Sequence, residues 1–188
     1  NKILLAYSGG LDSSVLLDCL HKISLSNPIS IRTIHINHNL SNQSVAFENH
    51  CTEITNRINI DHQNIKINID SFSNIEEQCR NKRYSSLTEA CGSDEVIFTA
   101  HHEEDQVETF LLRLLRGSGA RGLSSMSHQS IYNNKIIYRP FLKVSKNIIE
   151  EYCHNNNVRY IDDKTNNDNK FDRNFLRNNI IPALKLRW

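Results

Sequence analysis

The chain has 188 residues, 38% of them hydrophobic, with 22 Lys and Arg against 21 Asp and Glu and a formal net charge of +1. That length suits one α/β domain with at most a small appendage, and with no run of about 18 apolar residues and no basic-then-apolar leader, neither a membrane span nor a signal peptide is indicated; a cytoplasmic protein is expected. Cys19, Cys51, Cys79, Cys91 and Cys153 are odd in number and lack CxxC spacing, which argues against a disulfide framework, a zinc site and a ligated iron–sulfur cluster.

The first element is the apolar run Ile3-Leu4-Leu5-Ala6-Tyr7, a strand, followed at once by Ser8-Gly9-Gly10-Leu11-Asp12-Ser13 and a helical pattern at Val15, Leu16, Cys19, Leu20 and Ile23. Adjacent glycines reach backbone angles closed to other residues, so successive amides can turn inward on an anion, and the helix that follows points its positive end at the same place. Ser8 and Ser13 can donate to phosphate oxygens. Asp12 is unwelcome beside bare phosphate unless a cation such as Mg²⁺ lies between them. The loop lacks the Lys of GxxxxGK[ST] and the spacing of GxGxxG. A tight, polar-capped strand–helix turn would use the same residue types.

After the Asn27-Pro28 break, Ile29 to His38 reads as the second strand, Ser44 to Ile58 as a helix, Gln63 to Ile69 as the third strand, and Ile75 to Cys91 as a helix stopped by Gly92. Glu95 to Ala100 is the fourth strand. Glu103 to Arg116 is an amphipathic helix with Val107, Phe110, Leu111, Leu114 and Leu115 on one face and Gly117 as its stop. This alternation predicts a doubly wound α/β fold, a mainly parallel five-stranded sheet with helices on both faces. In such sheets ligands bind beyond the carboxyl ends of the strands, where the glycine loop, His35 to His38 and His101-His102 converge. Asp105 and Glu108, three apart, share one helix face; ordinary dipole partners occupy the same positions. The basic surplus lies late: residues 1–78 carry 5 Lys/Arg against 8 Asp/Glu, residues 79–138 carry 7 against 7, and residues 139–188 carry 10 against 6, weak support for a phosphate-rich partner at that end.

The hexapeptide SGGLDS resembles the SGGxDS loop of the ATP pyrophosphatase (PP-loop) superfamily. With His35-Ile36-Asn37-His38-Asn39-Leu40, Arg80-Asn81-Lys82-Arg83-Tyr84, the segment TAHHEEDQVET (99–109), Arg116-Gly117-Ser118-Gly119-Ala120-Arg121-Gly122-Leu123, Arg139-Pro140-Phe141-Leu142, Asp163-Lys164-Thr165-Asn166 and Arg173-Asn174-Phe175-Leu176-Arg177, nearly the whole chain resembles the tRNA(Ile)-lysidine synthase family. The resemblance implies an adenine nucleotide alpha-hydrolase-like fold and a cytoplasmic ligase. Such an enzyme uses ATP and Mg²⁺ to adenylate the wobble cytidine of isoleucine tRNA (CAU anticodon), then lets free L-lysine displace AMP. It implies that Ser8, Gly9, Gly10, Leu11, Asp12 and Ser13 hold the phosphates, with Asp12 as the metal residue, and that the backbone near Ala6 and Ile36 receives adenine, with Arg116 and Gly117 also on the nucleotide. Asp105 and Glu108 would take the lysine amino group, His102 would lie near nucleotide or cytosine, and Arg83, Arg173 and Arg177 would counter phosphate or tRNA charge.

The resemblance further implies a catalytic PP-loop domain at 1–140 with a basic helical extension at 141–188, the family's tRNA-gripping C-terminal domains being absent. Weak tRNA binding and poor turnover are expected. Ser41 stands where the family usually has Arg, and Cys79 where it commonly has Ala. A PP-loop tRNA thiolase, another ATP-dependent amidoligase and a non-catalytic nucleotide-binding module are the alternatives. A thiolase needs paired cysteines or a cluster, and an amidoligase would lack the His-rich and RGSG segments.

Overall fold

The computed structural model describes residues 1–38, 43–68, 75–119 and 122–188; Asn39, Leu40, Ser41, Ala120 and Arg121 lie outside the described residues. Strand β1 (Lys2–Ala6) places Leu4 and Leu5 at zero exposure on opposite faces, the burial that a central parallel strand requires. Around it stand α1 (Leu11–Ser24), β2 (Ser30–Asn37), α2 (Ser44–Arg57), β3 (Asp61–Lys66), α3 (Ile75–Ala90), β4 (Glu95–Phe98) and α4 (Glu103–Leu115). The hairpin β5 (Gln129–Tyr132) and β6 (Lys135–Tyr138) follows, then α5 (Lys146–Asn155), a 3₁₀ turn (Lys164–Asn167), α6 (Asp172–Phe175), a π-type segment (Leu176–Ile180) and α7 (Ile181–Arg187).

The sheet order is β3-β2-β1-β4-β6-β5. Five strands run parallel, as the alternation predicts, and β5 adds an antiparallel sixth at the edge. The hairpin turn is Asn133-Asn134, both at positive φ (47° and 60°), the primed geometry that matches strand twist and that Asn tolerates. Strand β3 begins two residues before the apolar run predicts. It is an edge strand whose register is set by β2, from Arg32 opposite Asp61 to Asn37 opposite Lys66.

Chain direction across the sheet reverses at β1 and β4, so the crevice beyond their carboxyl ends is the topological switch point. Helices α1 and α2 cover one face through Leu16, Leu17, Leu20 and Cys51, and α3 covers the other through Tyr84 and Leu87, with Cys91 just after it. Helix α5 packs on the outside of α1, burying Ile149 and Cys153 against Val15. Helix α4 departs from the usual pattern. Its buried residues are Asp105, Glu108 and Thr109, while Val107, Phe110, Leu114 and Leu115 are 39–72% exposed. Polar partners from α6 and the π-type segment take the inward face, and the apolar stripe is turned outward. Among the described residues no helix is long and apolar enough to cross a membrane.

Candidate active site

The glycine loop is pinned by its own hydroxyls. The Ser8 amide donates to Ser13 Oγ (3.2 Å), the Gly10 amide to Ser8 Oγ (3.3 Å), and Ser13 Oγ to the Gly10 carbonyl (3.1 Å). Gly9 sits at φ +81°, and a Cβ there would stand 2.9 Å from Cys51 Sγ, so both backbone angle and space require glycine. Its carbonyl accepts from the Ile161 amide at 2.9 Å, which ties the segment after α5 to the loop. The first amides of α1 have no partner within the helix and face the same crevice.

Asp12 lies in the first turn of α1, and its Oδ1 is buried without a hydrogen-bond partner. Burial pushes its carboxyl above the ordinary range, with the nearby His102 pulling the other way. An unpartnered carboxylate oxygen held at a cost in desolvation suits a divalent cation. No three His, Cys, Asp or Glu side chains converge on a metal position among the described residues, so a cation at Asp12 would draw its remaining ligands from phosphate and water.

Across the crevice His102 caps α4. Its backbone amide donates to Asp105 Oδ2 (3.0 Å), and its side chain is 4% exposed. Nδ1 lies 3.1 Å from Glu104 Oε2, and Glu104 in turn accepts the Lys146 amide at the start of α5. With Nδ1 donating to Glu104, Nε2 faces two carboxylates, Asp12 at 3.7 Å and Asp105 at 3.6 Å. Burial opposes ionisation of Asp105, yet the imidazoles of His102 and His101, the His102 amide and Arg173 together hold its carboxyl below the ordinary range.

One turn further along α4, Glu108 has no exposed surface. Arg177 binds it bidentately, Nε to Oε1 at 2.6 Å and Nη2 to Oε2 at 3.1 Å, and Arg173 Nε stands 3.4 Å from Oε2. Burial pushes the Glu108 carboxyl up while Arg177 pulls it down. The two arginines are four apart and reach α4 from α6 and the π-type segment. There the Ile181 amide bonds five residues back to Leu176, and Pro182, lacking an N–H, cannot restore the four-residue register.

The structure therefore brings Ser8, Gly9, Gly10, Leu11, Asp12, Ser13, His102 and Asp105 to one crevice, with Glu108, Arg173 and Arg177 just behind. Both Glu108 oxygens are engaged by guanidinium, a different use from the amine contact expected of it. Ala6 ends β1 and Ile36 is the last residue but one of β2, both on the α3 face. Arg83, on α3, donates from Nη2 to His38 Nε2 at 3.3 Å. Arg116 and Gly117 are not brought to the loop: they cap the far end of α4, about 16 Å along the axis from Asp105, where Gly117 adopts φ +71°. Glu104 is the site residue that sequence reasoning passed over. Its position, two after the capping histidine, was its only signal.

A model of the PP-loop domain family matches residues 1–184. The tRNA(Ile)-lysidine synthase of Histophilus somni (strain 129Pt) is 43% identical over 188 residues, covering 100% of this chain and 44% of that protein. The tRNA(Ile)-lysidine synthase of Buchnera aphidicola subsp. Baizongia pistaciae is 48% identical over 190 residues, covering 99% and 43%. The chain spans less than half the length of these relatives. Among solved structures, the U34-tRNA thiolase NcsA of Methanococcus maripaludis with its [4Fe-4S] cluster superposes with a TM-score of 0.69 at 16% identity, over 85% of this chain and 57% of that one, a likeness of fold.

Proposed function

The chain belongs to the PP-loop domain family, and on that premise we propose that it is the ATP-dependent catalytic part of an enzyme converting the wobble cytidine of isoleucine tRNA (CAU anticodon) to lysidine. One observation carries the reading. Asp12 of the glycine loop and Asp105 of α4 both reach His102 Nε2, at 3.7 and 3.6 Å, so a phosphate-holding half and an amine-holding half share one imidazole.

In this reading the loop amides and the Ser8 and Ser13 hydroxyls hold the ATP phosphates, with the adenine over the ends of β1 and β2 near Ala6 and Ile36. Asp12 holds Mg²⁺, which when bound offsets negative charge on the phosphates. The cytosine carbonyl oxygen takes the adenylyl group and pyrophosphate leaves. The ε-amine of lysine then forms the new C–N bond, and AMP departs with the oxygen. An ammonium is no nucleophile, so its proton must first be removed. Asp105, held ionised, orients the ammonium, and the His102–Asp105 pair receives the proton. Glu108 fixes Arg173 and Arg177, whose remaining N–H groups counter phosphate charge. Arg83 adds positive charge from α3, and Arg116 and Gly117, far from the loop, suit a contact with tRNA instead of the nucleotide. Residues 1–140 and 141–188 act as one catalytic unit, because α5 buries α1 and the arginines from 141–188 complete the acidic face of α4. A cytoplasmic setting fits substrates of this kind.

The thiolase alternative has the fold in its favour, but among the described residues no three His, Cys, Asp or Glu side chains, and so no three cysteines, are grouped to hold a cluster. The test is incubation of the chain with ATP, Mg²⁺, labelled lysine and isoleucine tRNA. Label in the tRNA with lysine-dependent AMP and pyrophosphate is expected. Pyrophosphate release with ammonia or a sulfur donor, but none with lysine, would overturn the assignment.

A further inference from the structure

Glu104 has no part in the reaction proposed above, yet its carboxylate is engaged on both oxygens at the edge of that chemistry. Oε2 lies 3.1 Å from His102 Nδ1 and accepts the Lys146 amide at 2.9 Å, and Oε1 stands 3.9 Å from Lys185 Nζ. Lys146 is the first residue of α5, so its amide is one of the donors that a helix start leaves without an internal partner, and the helix dipole favours a carboxylate there. A second bond runs beside it, from the Glu103 amide to the Val144 carbonyl at 3.0 Å. Two consecutive residues at the start of α4 are tied in this way to the start of α5. Helix α5 is in turn buried on α1 through Ile149, Cys153 and Val15, and α1 carries Asp12. The place of Glu104 is set by this frame as well as by the imidazole it touches.

A neutral imidazole carries one proton, and the bond made by one nitrogen decides what the other can do. Three carboxylates face His102: Glu104 at Nδ1, and Asp12 (3.7 Å) and Asp105 (3.6 Å) at Nε2. As the cap of α4, His102 is subject to a second demand on Nδ1. In a capping box the ring accepts from the amide of Asp105, which needs a bare Nδ1, whereas the Glu104 carboxylate needs a protonated one. Geometry and charge decide between them. The amide makes no side-chain cap hydrogen bond, while Glu104 is within bonding distance and is a charged acceptor, about twice as strong as a neutral one. The proton therefore stays on Nδ1. Nε2 keeps a lone pair beside Asp12 and Asp105, a group of acceptors that lacks a donor, which is what an ammonium supplies.

We propose that Glu104 is a positioning residue that acts through His102: it holds the ring proton on Nδ1 and so leaves Nε2 bare to accept from the lysine ammonium. Without it, His102 would become an ordinary helix cap, with Nδ1 accepting from the Asp105 amide and its proton on Nε2, turned toward Asp12 and Asp105. The inference rests on the lysine-dependent reaction proposed above and adds what prepares the acceptor. It follows the general pattern of a base oriented by a third group.

The ring can be read in the chain alone, without nucleotide or metal. Imidazole nitrogen shifts of the ¹⁵N-labelled chain at pH 8, with His102 identified by the signals lost in His102→Gln, distinguish the protonated nitrogen from the bare one. A protonated Nδ1 is expected in the unaltered chain and a protonated Nε2 in Glu104→Leu. Glu104→Gln, whose amide oxygen can accept the same two N–H groups, should keep the proton on Nδ1, and it carries the comparison if the Leu variant does not fold. In lysine transfer to tRNA with ATP and Mg²⁺, Glu104→Leu should lose about 100-fold or more in kcat, with half-saturating lysine changed by less than about threefold because Asp105 still holds the ammonium. Glu104→Gln should recover most of that loss. A protonated Nε2 in the unaltered chain overturns the proposal and leaves the lysine reaction standing. So does an unchanged ring in a folded Glu104→Leu chain, or a loss seen only as weaker lysine binding. Rings that behave as expected in a chain that transfers no lysine overturn the reaction reading, and the role of Nε2 with it.

Discussion

Glu108 has no surface in contact with water and gives both oxygens to Arg177, while Arg177 and Arg173 keep about a third of their side-chain surface exposed (30% and 32%). Removing the carboxylate would leave two guanidiniums facing an apolar gap. Glu108→Ala is expected to lose roughly 3 kcal/mol of stability, the low end for a broken buried pair because the arginines can still reach solvent. Urea unfolding would show it. Asp105→Asn should behave differently. Asparagine can still accept the His102 amide, so the helix start survives, but the negative charge offered to an ammonium is gone. Half-saturating lysine should rise about tenfold or more with little change in the unfolding midpoint. Equal loss of stability in both variants would refute this division of labour. The spacing of Asp105 and Glu108 is legible in the sequence and gives them one helix face. It does not reveal that Arg177, 69 residues beyond Glu108, claims one of them.

At the scale of elements, the strand–loop–helix at the start of the chain is fixed by local chemistry: a buried apolar strand, two glycines, hydroxyls that bond back to the loop, and a helix whose first turn needs partners. Gly9→Ala tests it. A left-handed backbone angle costs an L-residue about 1–2 kcal/mol, and the added methyl would press on Cys51, so the melting temperature should fall and ATP affinity should fall with it. Unchanged ATP affinity would mean the loop tolerates a shift that this geometry forbids. The hairpin β5–β6 had a signal that is plain in retrospect, Ile131-Tyr132 and Ile136-Ile137 flanking Asn133-Asn134. Helix α4 had a misleading one. Its apolar stripe suggests a core-facing surface, but at the carboxyl edge of the sheet its nearest partners are arginines, and the polar stripe goes inward.

For the molecule as a whole, His35, His38, His62 and His101 all have their pKa lowered, first by burial, His38 and His101 to about 4. The unfolded chain binds protons at these histidines near the ordinary value of about 6.5, before the folded chain does. Their contribution to stability is therefore full above about pH 6.5 and is lost as the pH falls toward about 4. Melts taken from pH 7 to pH 5 should show falling stability, and His38→Gln should flatten the decline; a pH-independent melting temperature across that window would contradict it. Alternating strands and helices, the glycine loop and the acidic start of α4 are properties of short stretches, so the sequence by itself determined the α/β class, the parallel sheet, and the crevice where the loop and the histidines meet. Tertiary structure alone decided the β5 edge, the inward turn of the polar face of α4, the bidentate Arg177–Glu108 pair and the burial of Arg139 against Ser127 and Ser130. Each depends on which distant segment lies opposite, and burial gives a charge its meaning only once the partner across the gap is known.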